Sequence, residues 1–427
     1  MTSVLAEVIA IGDEMIGGSR LDTNTQWIAQ QLTELGAKVQ FHATIGDELT
    51  LQVETLKNSA GRANVIVMTG GLGPTADDLT RTVISTVAGK QLVFHEESLQ
   101  HIQTLFAKYG RQMPESNRIQ AMFPDGANVI PNANGTAPGI DMTLESDGKK
   151  CRVFCLPGVP AEMKEMWAEY VAGEVSQLIG GTSIVRSRIL NCFGTGESHT
   201  EELLGDLIAR DRNPLVGITA SKATISLRIL GRGDNVEQVE REVAAVEAFA
   251  RVRLGRLVYG VDDETLAGRV NEYLRNRKER VAILDMGLYG DVLSALLHDV
   301  SNSTTQNAIS PVAGGAFVTM ETLPALHLTD VAVPWESLEL NSGEADSPFE
   351  ALLNAVRERW QTDWTVLIGP LRVEEDFERF PVGISHRGSA RLFWIKHYGH
   401  HSFRHLRSVK QVLNELRLDI ENQTPQL

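Results

Sequence analysis

The segment of this sequence with the clearest chemical potential is glycine-rich, TGGLGPTADDLT at residues 69–80. It follows an apolar, β-branched run and leads into a pattern of helical period, and its glycines allow the backbone to approach a phosphate closely. The unpaired N–H groups and the positive dipole end of the following helix favour the same ligand. Asp77 and Asp78, at the predicted start of that helix, have two interpretations. They either cap the helix or supply the oxygen ligands that a divalent cation requires beside a phosphate.

Two other strand-like runs also end in a glycine followed by carboxylates. The first is followed by GDEMIGGSRLDTN, which contains Asp13, Glu14 and Asn24, and the second by GDE, which contains Asp47. A single Gly-Asp turn is ordinary turn chemistry. Because parallel sheets bind ligands beyond the carboxyl ends of their strands, three such turns at one sheet edge predict a binding site. Two further loops either extend this site or are simple turns: NANGTAPG at residues 132–139 and LPGVPAEM at residues 156–163.

The elements that would position these residues alternate regularly up to about residue 179. Short apolar runs such as VLAEVIAIG and NVIVMTGG alternate with segments of helical period such as TNTQWIAQQLTELG. Strands that are buried on both faces and joined by helices predict a mostly parallel α/β sheet with helices on both faces. In the first helical segment, an apolar stripe ends at Gly36, a residue suited to a left-handed C-cap. The stripe consists of Trp27, Ile28, Leu32 and Leu35.

The remaining chain separates into two further units. A break at Gly180 and Gly181 is followed by two predicted strands and two predicted helices, which form a small α+β module. A third α/β unit begins near Asp263, contains an irregular stretch from Ser301 to Ser347 and closes with the amphipathic segment FRHLRSVKQVLNELR. A length of 427 residues suits about three domains. The predicted domains are residues 1–180, 181–260 and 261–427.

Composition excludes several classes of protein. An apolar fraction of 42% excludes a disordered chain, and no apolar stretch approaches the roughly 18 residues of a membrane span. The N-terminus has no basic segment of a secretion signal. A net charge of -15 disfavours nucleic-acid binding. The three cysteines, Cys151, Cys155 and Cys192, are predicted to be buried structural thiols, and their odd number favours a reducing, cytoplasmic location.

Taken in order and at their spacing, six motifs of the first domain resemble the competence/damage-inducible protein CinA family: GDEMIGG, DTN, IGDE, TGGLGPTADD, NGTAPG and LPGVPAEM. The N-terminal domain of that family is similar to the molybdopterin-binding fold of molybdenum-cofactor biosynthesis proteins. The resemblance continues through FGTGES and LVGITASKATISLRI in the middle module, which is similar to a KH-type fold, and becomes faint after Asp263. The acidic segment GRGD, residues 231–234, disfavours RNA binding because a KH loop must receive phosphates.

The resemblance implies a metal-dependent ADP-ribose pyrophosphatase that releases AMP and ribose 5-phosphate. It also implies a homodimer that takes a small-molecule nucleotide. The divalent ion, Mg²⁺, Mn²⁺ or Co²⁺, would be held by Asp78, with Asp13 or Asp47 as further candidates. Asp77 or Glu14 would orient the attacking water, and these two residues with Asp78 are the catalytic candidates. The predicted phosphate and nucleotide contacts are Gly70, Gly71, Gly73, Thr75, Asn24, Gly135 and Gly158.

The third domain departs from the family pattern. Full-length members are similar to nicotinamide-nucleotide amidases there, with a serine nucleophile in an ESCTGG turn after a strand. The matching segment here, VAILDMGLYGD, places Asp285 at the Glu position and Met286 at the nucleophile position, and Thr319 stands where the family has Tyr. A thioether cannot attack an amide carbon, which predicts a degenerate amidase. A shifted alignment would offer Ser294, but its apolar neighbours favour a core helix position.

Two rival functions stay open: retained nicotinamide mononucleotide deamidation in the third domain, and a non-catalytic nucleotide-binding or interaction scaffold. A basic segment, residues 379–414, adds a further question because it carries seven Lys or Arg and five His but no acidic residue. It favours a face that meets an acidic face of another domain or subunit. Retained phosphate or nucleotide binding and a metal site are the alternatives.

Overall fold

The computed structural model describes residues 4–146, 148–180, 184–209, 212–302, 310–319, 321–326, 328, 333, 335, 348–375 and 377–423. The chain divides into two compact units, residues 1–186 with 231–241 and residues 187–230 with 242–427. The three domain boundaries stay a prediction. Most of the irregular stretch predicted between Ser301 and Ser347 lies outside the described residues.

A six-stranded sheet forms the centre of the first unit. The strands of this unit are β1 (Leu5–Ile11), β2 (Lys38–Ile45), β3 (Val65–Thr69), β4 (Leu92–Phe94), β5 (Met122–Pro124), β6 (Asn128–Ile130), β7 (Gly139–Ser146) and β8 (Lys149–Leu156). The sheet order is β2-β1-β3-β8-β7-β6, while β4 and β5 form a separate ribbon. The first three pairings of that order are parallel, and the last two, β8 with β7 and β7 with β6, are antiparallel. The prediction of a mostly parallel sheet is confirmed.

Helices cover both faces of this sheet. They are α1 (Asp13–Ile16), α2 (Thr23–Glu34), α3 (Leu49–Arg62), α4 (Thr80–Ala88), α5 (Glu96–Lys108), α6 (Pro160–Met166) and α7 (Ala172–Ile179), the last two joined by a π-type turn at Trp167–Val171. Because side chains alternate along a strand, Ile9 and Ile11 of β1 enter the cluster that contains Leu56 of α3, whereas Ala6 and Val8 enter the opposite cluster. The sheet therefore separates two apolar layers.

The predicted stripe on α2 is confirmed. Ile28 and Leu32 are fully buried, and Trp27 and Leu35 pack against the same cluster. Gly36 has a φ of 100°, a conformation that favours glycine, and it ends the helix as expected. Cys151, Cys155 and Cys192 are buried, unbridged thiols, also as predicted, and burial raises the pKa of each.

The middle of the chain forms a four-stranded sheet. Its elements are β9 (Ile184–Cys192), α8 (Glu197–Leu204), β10 (Leu215–Ser221), β11 (Thr224–Gly233), α9 (Val236–Leu254) and β12 (Val258–Val261), and the strand order is β10-β11-β9-β12. The prediction of two strands was wrong. It missed β10 because the tight β10–β11 hairpin turns at Lys222 and Ala223, which have positive φ, without the Asn or Gly that marks such turns.

The C-terminal region is a second α/β layer structure. Its elements are α10 (Leu266–Arg277), β13 (Val281–Asp285), α11 (Asp291–Asn302), β14 (Val312–Phe317), α12 (Pro348–Trp360), β15 (Trp364–Ile368), β16 (Arg372–Val373), β17 (Glu378–His386), β18 (Ser389–His397) and α13 (His401–Asn422). The sheet order is β14-β13-β15-β17-β16, with β18 paired to β17. Phe193 and Tyr259 of the preceding module pack into the same core cluster as Val281 and Trp364.

Two further expectations concern exposure. Ser294, on α11, is exposed, so the expected core position was wrong. Among the described side chains of that helix, its neighbours Val292 and Leu296 are the buried ones. Within the described residues, no helix is long and apolar enough to cross a membrane.

The first unit contains an ion pair between a buried carboxylate and an exposed arginine, and its removal tests the packing of the sheet. Glu7 of β1 is buried and accepts hydrogen bonds from Arg62 Nε at 2.8 Å, Arg62 Nη2 at 2.6 Å and Ser59 Oγ at 2.7 Å. Arg62→Ala leaves a buried carboxylate without its cation, so it is expected to lower the free energy of unfolding by about 3 kcal/mol in urea denaturation. Arg186→Ala breaks an exposed pair with Glu240 and is the control, with an expected loss of about 0.5 kcal/mol. Equal losses in the two variants would contradict the assignment.

Candidate functional site

Asp78 closes the glycine-rich loop instead of capping a helix. Its Oδ1 accepts the N–H of Gly73 at 2.8 Å, and its Oδ2 accepts the N–H of Thr75 at 2.8 Å and also the Thr75 hydroxyl. Helix α4 begins at Thr80, two residues later than Asp78. Its N-cap residue is Leu79, whose side chain makes no capping hydrogen bond. The interpretation of Asp77 and Asp78 as helix caps was wrong, because the Asp78 carboxylate folds back onto its own loop.

Arg81 holds the same loop from the opposite side. Its buried guanidinium donates to the carbonyl of Leu72 at 2.8 Å and to that of Gly73 at 3.3 Å, while the Thr80 hydroxyl donates to the carbonyl of Gly70 at 2.9 Å. Burial lowers the pKa of Arg81 to about 10, an effect that the Asp78 carboxylate opposes. Arg81 therefore stays charged at neutral pH. Sequence reasoning missed it, although an Arg three residues after Asp78 is the spacing of neighbours on one helix face.

Two N–H groups of the loop are available to a ligand. The N–H of Gly70 donates to the carbonyl of Leu156 at 3.0 Å and that of Gly73 to Asp78, whereas the N–H groups of Gly71 and Leu72 have no acceptor among the described residues. This corrects the expectation that residues 70–73 all present N–H groups to a phosphate. At Gly71, which has a φ of 65°, an added Cβ would lie 2.3 Å from the Thr80 hydroxyl, so glycine is required there.

The carboxylates of the three predicted turns lie close together. The N–H of Asp13 donates to Asp47 Oδ2 at 3.1 Å, and the N–H of Asp47 donates to Asp13 Oδ1 at 3.0 Å. The pKa of Asp47 is raised from its usual value, first by burial and then by the negative charges of Asp13, Asp77 and Glu14, against a lowering by the Asp13 N–H. The carboxylates of Asp13, Glu14 and Asp77 thus act on Asp47 at the ends of β1, β2 and β3.

Glu14, Asp47 and Asp77 line a pocket of about 430 Å³ in the first unit. Asn24 lines this pocket, and its side-chain amide donates to Thr69 Oγ1 at 3.1 Å and to the carbonyl of Gly158 at 3.0 Å. The predicted site residues that line it are Glu14, Asn24, Asp47, Gly70, Gly71, Gly73, Asp77, Asp78 and Gly158. Asp13, Thr75 and Gly135 do not appear in its wall; Asp13 and Thr75 support residues that do, and the N–H of Gly135 donates to Asn132 Oδ1 at 2.8 Å.

Three further pocket residues escaped the sequence reasoning. Arg20 is an exposed cation at the pocket, 3.9 Å from Glu14. Gln120 donates to the carbonyl of Leu72 at 3.2 Å, and Glu162 accepts the Asn132 side-chain amide at 2.7 Å. Arg20 lies in the predicted turn after β1, but Gln120 arrives from a distant segment that no local motif marks.

The carboxylate oxygens at the pocket are possible ligands of a divalent cation. Among the described residues, no group of three or more His, Cys, Asp or Glu side chains forms a ready metal cage. The carboxylates of Asp47 and Asp13 nevertheless each accept the backbone N–H of the other residue, and Asp78 Oδ1 accepts a single hydrogen bond, which leaves this atom a further lone pair. Mg²⁺ is commonly held by one or two carboxylates together with substrate phosphates. The residues fit a cation of that shared kind.

In the C-terminal domain, the turn after β13 is filled by its own side chain. The buried Asp285 carboxylate accepts the N–H groups of Gly287 at 3.0 Å, Leu288 at 2.7 Å and Gly290 at 2.9 Å. Met286 is half-buried and packs against the apolar cluster that contains Phe349. The predicted nucleophile position therefore holds a packing residue.

Many charges of the basic segment, residues 379–414, meet carboxylates of their own unit. Arg391 contacts Asp419 and Glu415 at 2.9 Å, and Arg404 contacts Glu378 at 3.0 Å. Three of its histidines also lie beside carboxylates: His386 is 3.2 Å from Glu279, His405 is 2.7 Å from Asp291 and His397 is 4.0 Å from Glu378. A partner domain or subunit for this segment stays a prediction.

Comparisons with known proteins bear on the whole chain. A family model described as a probable molybdopterin binding domain matches residues 7–177, and one described as the damage-inducible protein CinA KH domain matches residues 187–260. A putative competence-damage inducible protein of Geobacillus kaustophilus is 37% identical over 294 residues, which are 68% of this chain and 70% of that protein. A CinA-like protein of Dictyoglomus thermophilum is 33% identical over 386 residues, 90% of each chain.

This chain belongs to the CinA family. The resemblance inferred from the six motifs is thereby confirmed, as is the assignment of a molybdopterin-binding-like first domain and a KH-type middle module to this CinA-family protein. Among solved structures, a CinA protein of unknown function from Thermoplasma acidophilum is 30% identical, with a TM-score of 0.37, over 40% of this chain and 98% of that one.

The clamp on the glycine-rich loop can be tested by amide hydrogen exchange. Asp78→Ala removes the acceptor of two backbone N–H groups, and a hydrogen bond to a charged group contributes about 1.5–3 kcal/mol. Exchange at the Gly73 and Thr75 amides is therefore expected to accelerate roughly 10- to 100-fold. Asp77→Ala is the control and should leave the Gly73 amide unchanged. Unaltered exchange in Asp78→Ala would show that the clamp does not order the loop.

The charge cluster predicts the direction of a titration. Because the carboxylates of Asp77 and Glu14 disfavour ionisation of Asp47, the double variant Asp77→Asn, Glu14→Gln is expected to lower the Asp47 pKa. The measurement is a pH titration of the Asp47 carboxyl carbon by NMR. Glu115→Gln, at an exposed residue of the same unit, is the control and should cause no change. A pKa that rises or stays constant in the double variant would refute the arrangement.

Proposed function

We propose that the first domain is a metal-dependent pyrophosphatase that hydrolyses ADP-ribose to AMP and ribose 5-phosphate. The observation that carries this proposal is that one pocket is lined both by carboxylates and by Gly71 and Leu72, whose N–H groups are unpaired among the described residues. The pocket volume of about 430 Å³ lies within the range of small-molecule sites. A molybdopterin-type domain supports the proposal at the coarser level, since that domain family includes enzymes.

Charge explains why such a reaction would need a cation. Glu14, Asp47 and Asp77 line the pocket, and a pyrophosphate would bring further negative charge to the same place. A divalent ion bound there supplies neutralisation of the phosphate oxygens and activation of water. Asp47 and Asp13 would hold the ion, with Asp78 as the additional candidate.

The chain's own groups would position the substrate and the water. The N–H groups of Gly71 and Leu72 would donate to one phosphate, in the geometry that Asp78 and Arg81 impose on the loop. The carboxylates of Asp77 and Glu14 both line the pocket and can accept a hydrogen bond from water. Asp77 or Glu14 would therefore orient the water.

For the C-terminal domain we propose no amidase activity. Met286 has no nucleophilic atom suited to an amide, and the Asp285 carboxylate already takes three N–H groups of the turn that would bind a substrate. The homodimer and the cytoplasmic location stay predictions.

One assay separates these functions. Purified full-length protein is incubated with ADP-ribose or with nicotinamide mononucleotide, with EDTA or with Mg²⁺, Mn²⁺ or Co²⁺, and AMP and ammonia are measured. The proposal expects AMP from ADP-ribose when metal is present and no ammonia from nicotinamide mononucleotide. Ammonia would establish the amidase alternative. Nucleotide binding without either product would establish the scaffold alternative.

Variants locate the reaction within the pocket. Asp47→Asn is expected to lower kcat for ADP-ribose by roughly 10²- to 10³-fold, the range seen when one charge-stabilising group is lost. Asp125→Asn, at an exposed residue of the same domain outside the pocket, is the matched control and should retain full activity. Full activity in Asp47→Asn would place the chemistry elsewhere.

A further inference from the structure

The second unit contains an open groove of about 860 Å³ that the proposed pyrophosphatase does not use. Three segments line it: the glycine turn at residues 193–197 before α8, the β10–β11 hairpin turn at residues 220–225, and the start and one face of α13 together with Tyr398. We call it the hairpin groove. All of these segments belong to one compact unit.

The hairpin turn at the groove is held in an unusual conformation. Lys222 and Ala223 have φ values of 47° and 57°, a region that residues other than Gly, Asn and Asp rarely adopt. Lys410 of α13 fixes the turn, because its ammonium donates to the carbonyl of Lys222 at 2.8 Å and to Thr224 Oγ1 at 2.5 Å. The turn therefore places the exposed Lys222 side chain beside a second ammonium.

Positive charge at the groove exceeds its negative charge. Both acceptors of Lys410 are neutral, and burial together with the Lys222 ammonium lowers the Lys410 pKa. Within the described part of the chain, no carboxylate forms an ion pair with Lys222, Lys410 or Arg407, and buried or adjacent cations ordinarily have one. Of the two carboxylates that line the groove, Glu415 is paired with Arg391 at 2.9 Å and Glu197 is exposed.

Backbone and side-chain amide groups supply further hydrogen-bond donors at the positively charged groove. The N-cap residue of helix α8 is Gly196, which has no side chain to accept the first N–H groups of the helix. These N–H groups are therefore open to an anion. Asn414 is a more buried donor. It is 8% exposed, and its Oδ1 accepts from Arg417 Nε and Nη2 at 3.1 and 2.8 Å. Its Nδ2 makes no hydrogen bond to the described residues, and Asn414 lines the groove.

Two aromatic rings stand beside these donors. Tyr398 and Phe403 are 47% and 50% exposed and both line the groove. The Arg407 guanidinium lies 4.3 Å from the centre of the Tyr398 ring and donates to its hydroxyl at 2.7 Å. Half-exposed rings next to cations are the surfaces on which flat nucleobases stack.

We propose that the hairpin groove binds a nucleoside monophosphate. Its phosphate is held by Lys222, Arg407 and the N–H groups of α8, and its base stacks on Tyr398 or Phe403. Cations without carboxylate partners would bind the phosphate, and the exposed faces of the aromatic rings would bind the base. A simple anion such as phosphate would contact the cations but could not stack on the rings. The chain's net charge of -15 disfavours a long polyanion as the occupant.

Lysine footprinting of the full-length protein tests the proposal. The protein is acetylated with a water-soluble ester in the presence of AMP, GMP, CMP or UMP, and the modification of each lysine is measured by mass spectrometry. At least one nucleotide is expected to protect Lys222 in a saturable manner, while the exposed Lys278 of the same unit reacts unchanged. If none of the four protects Lys222 at millimolar concentration, the proposal is overturned.

Matched variants identify the stacking surface. Phe403→Ala is expected to raise the nucleotide concentration for half-protection about tenfold, because stacking of one base contributes about that factor in affinity. Phe249→Ala is the control: Phe249 is also half-exposed and lies beneath an arginine, Arg253, but on α9 away from the groove. Equal effects of the two variants would overturn the stacking role.

Two other ligands distinguish a nucleoside monophosphate from free phosphate and from nucleic acid. Inorganic phosphate that protects Lys222 as well as the nucleotides do would show an anion site without base recognition and overturn the proposal. A single-stranded RNA oligonucleotide that protects at far lower concentration would overturn it in favour of nucleic-acid binding. Asp47→Asn separates this site from the pyrophosphatase pocket, since it should leave Lys222 protection intact even where hydrolysis is lost.

Discussion

The Asp78 carboxylate and the Arg81 guanidinium hold the glycine-rich loop after β3 from both sides, one by accepting N–H groups and the other by donating to carbonyls. The pocket depends on this clamp because it determines which loop N–H groups are consumed and which stay open. An unclamped glycine loop would pay a large conformational entropy cost on meeting a ligand. With the clamp in place, that ordering is complete before any ligand arrives.

A second constraint is electrostatic. The ends of β1, β2 and β3 bring Asp13, Glu14 and Asp77 within electrostatic range of Asp47, whose pKa is raised first by burial and then by these negative charges. Such a cluster is unfavourable without a cation. The hairpin groove of the second unit has the opposite imbalance, because Lys222, Lys410 and Arg407 have no carboxylate partner among the described residues. Opposite imbalances suit different ligand chemistries at the two places.

The turns after β3 and β13 use the same device with different results. In each, an aspartate carboxylate accepts backbone N–H groups of the turn that follows a buried parallel strand. After β3 the aspartate takes two of them and leaves those of Gly71 and Leu72 open, within the described residues. After β13, Asp285 takes three, and Met286 packs into the core. One turn thus keeps two N–H groups unpaired within the described residues, whereas the other is filled by its own carboxylate.

The sequence by itself determined the parallel α/β architecture of the first domain, the stripe on α2, the buried thiols and the family. Hydrophobic periodicity and ordered motifs are local properties of the chain, so they can be recognised without knowledge of the tertiary structure. It also indicated that three acidic turns share one sheet edge. Tertiary structure alone decided that Asp78 binds its own loop and that Arg81 and Gln120 support it. It also decided that Lys410 holds the hairpin at Lys222. Each of these rests on which donor lies within about 3 Å of which acceptor, and hydrogen bonds at that range depend on distances between segments that sequence patterns do not encode.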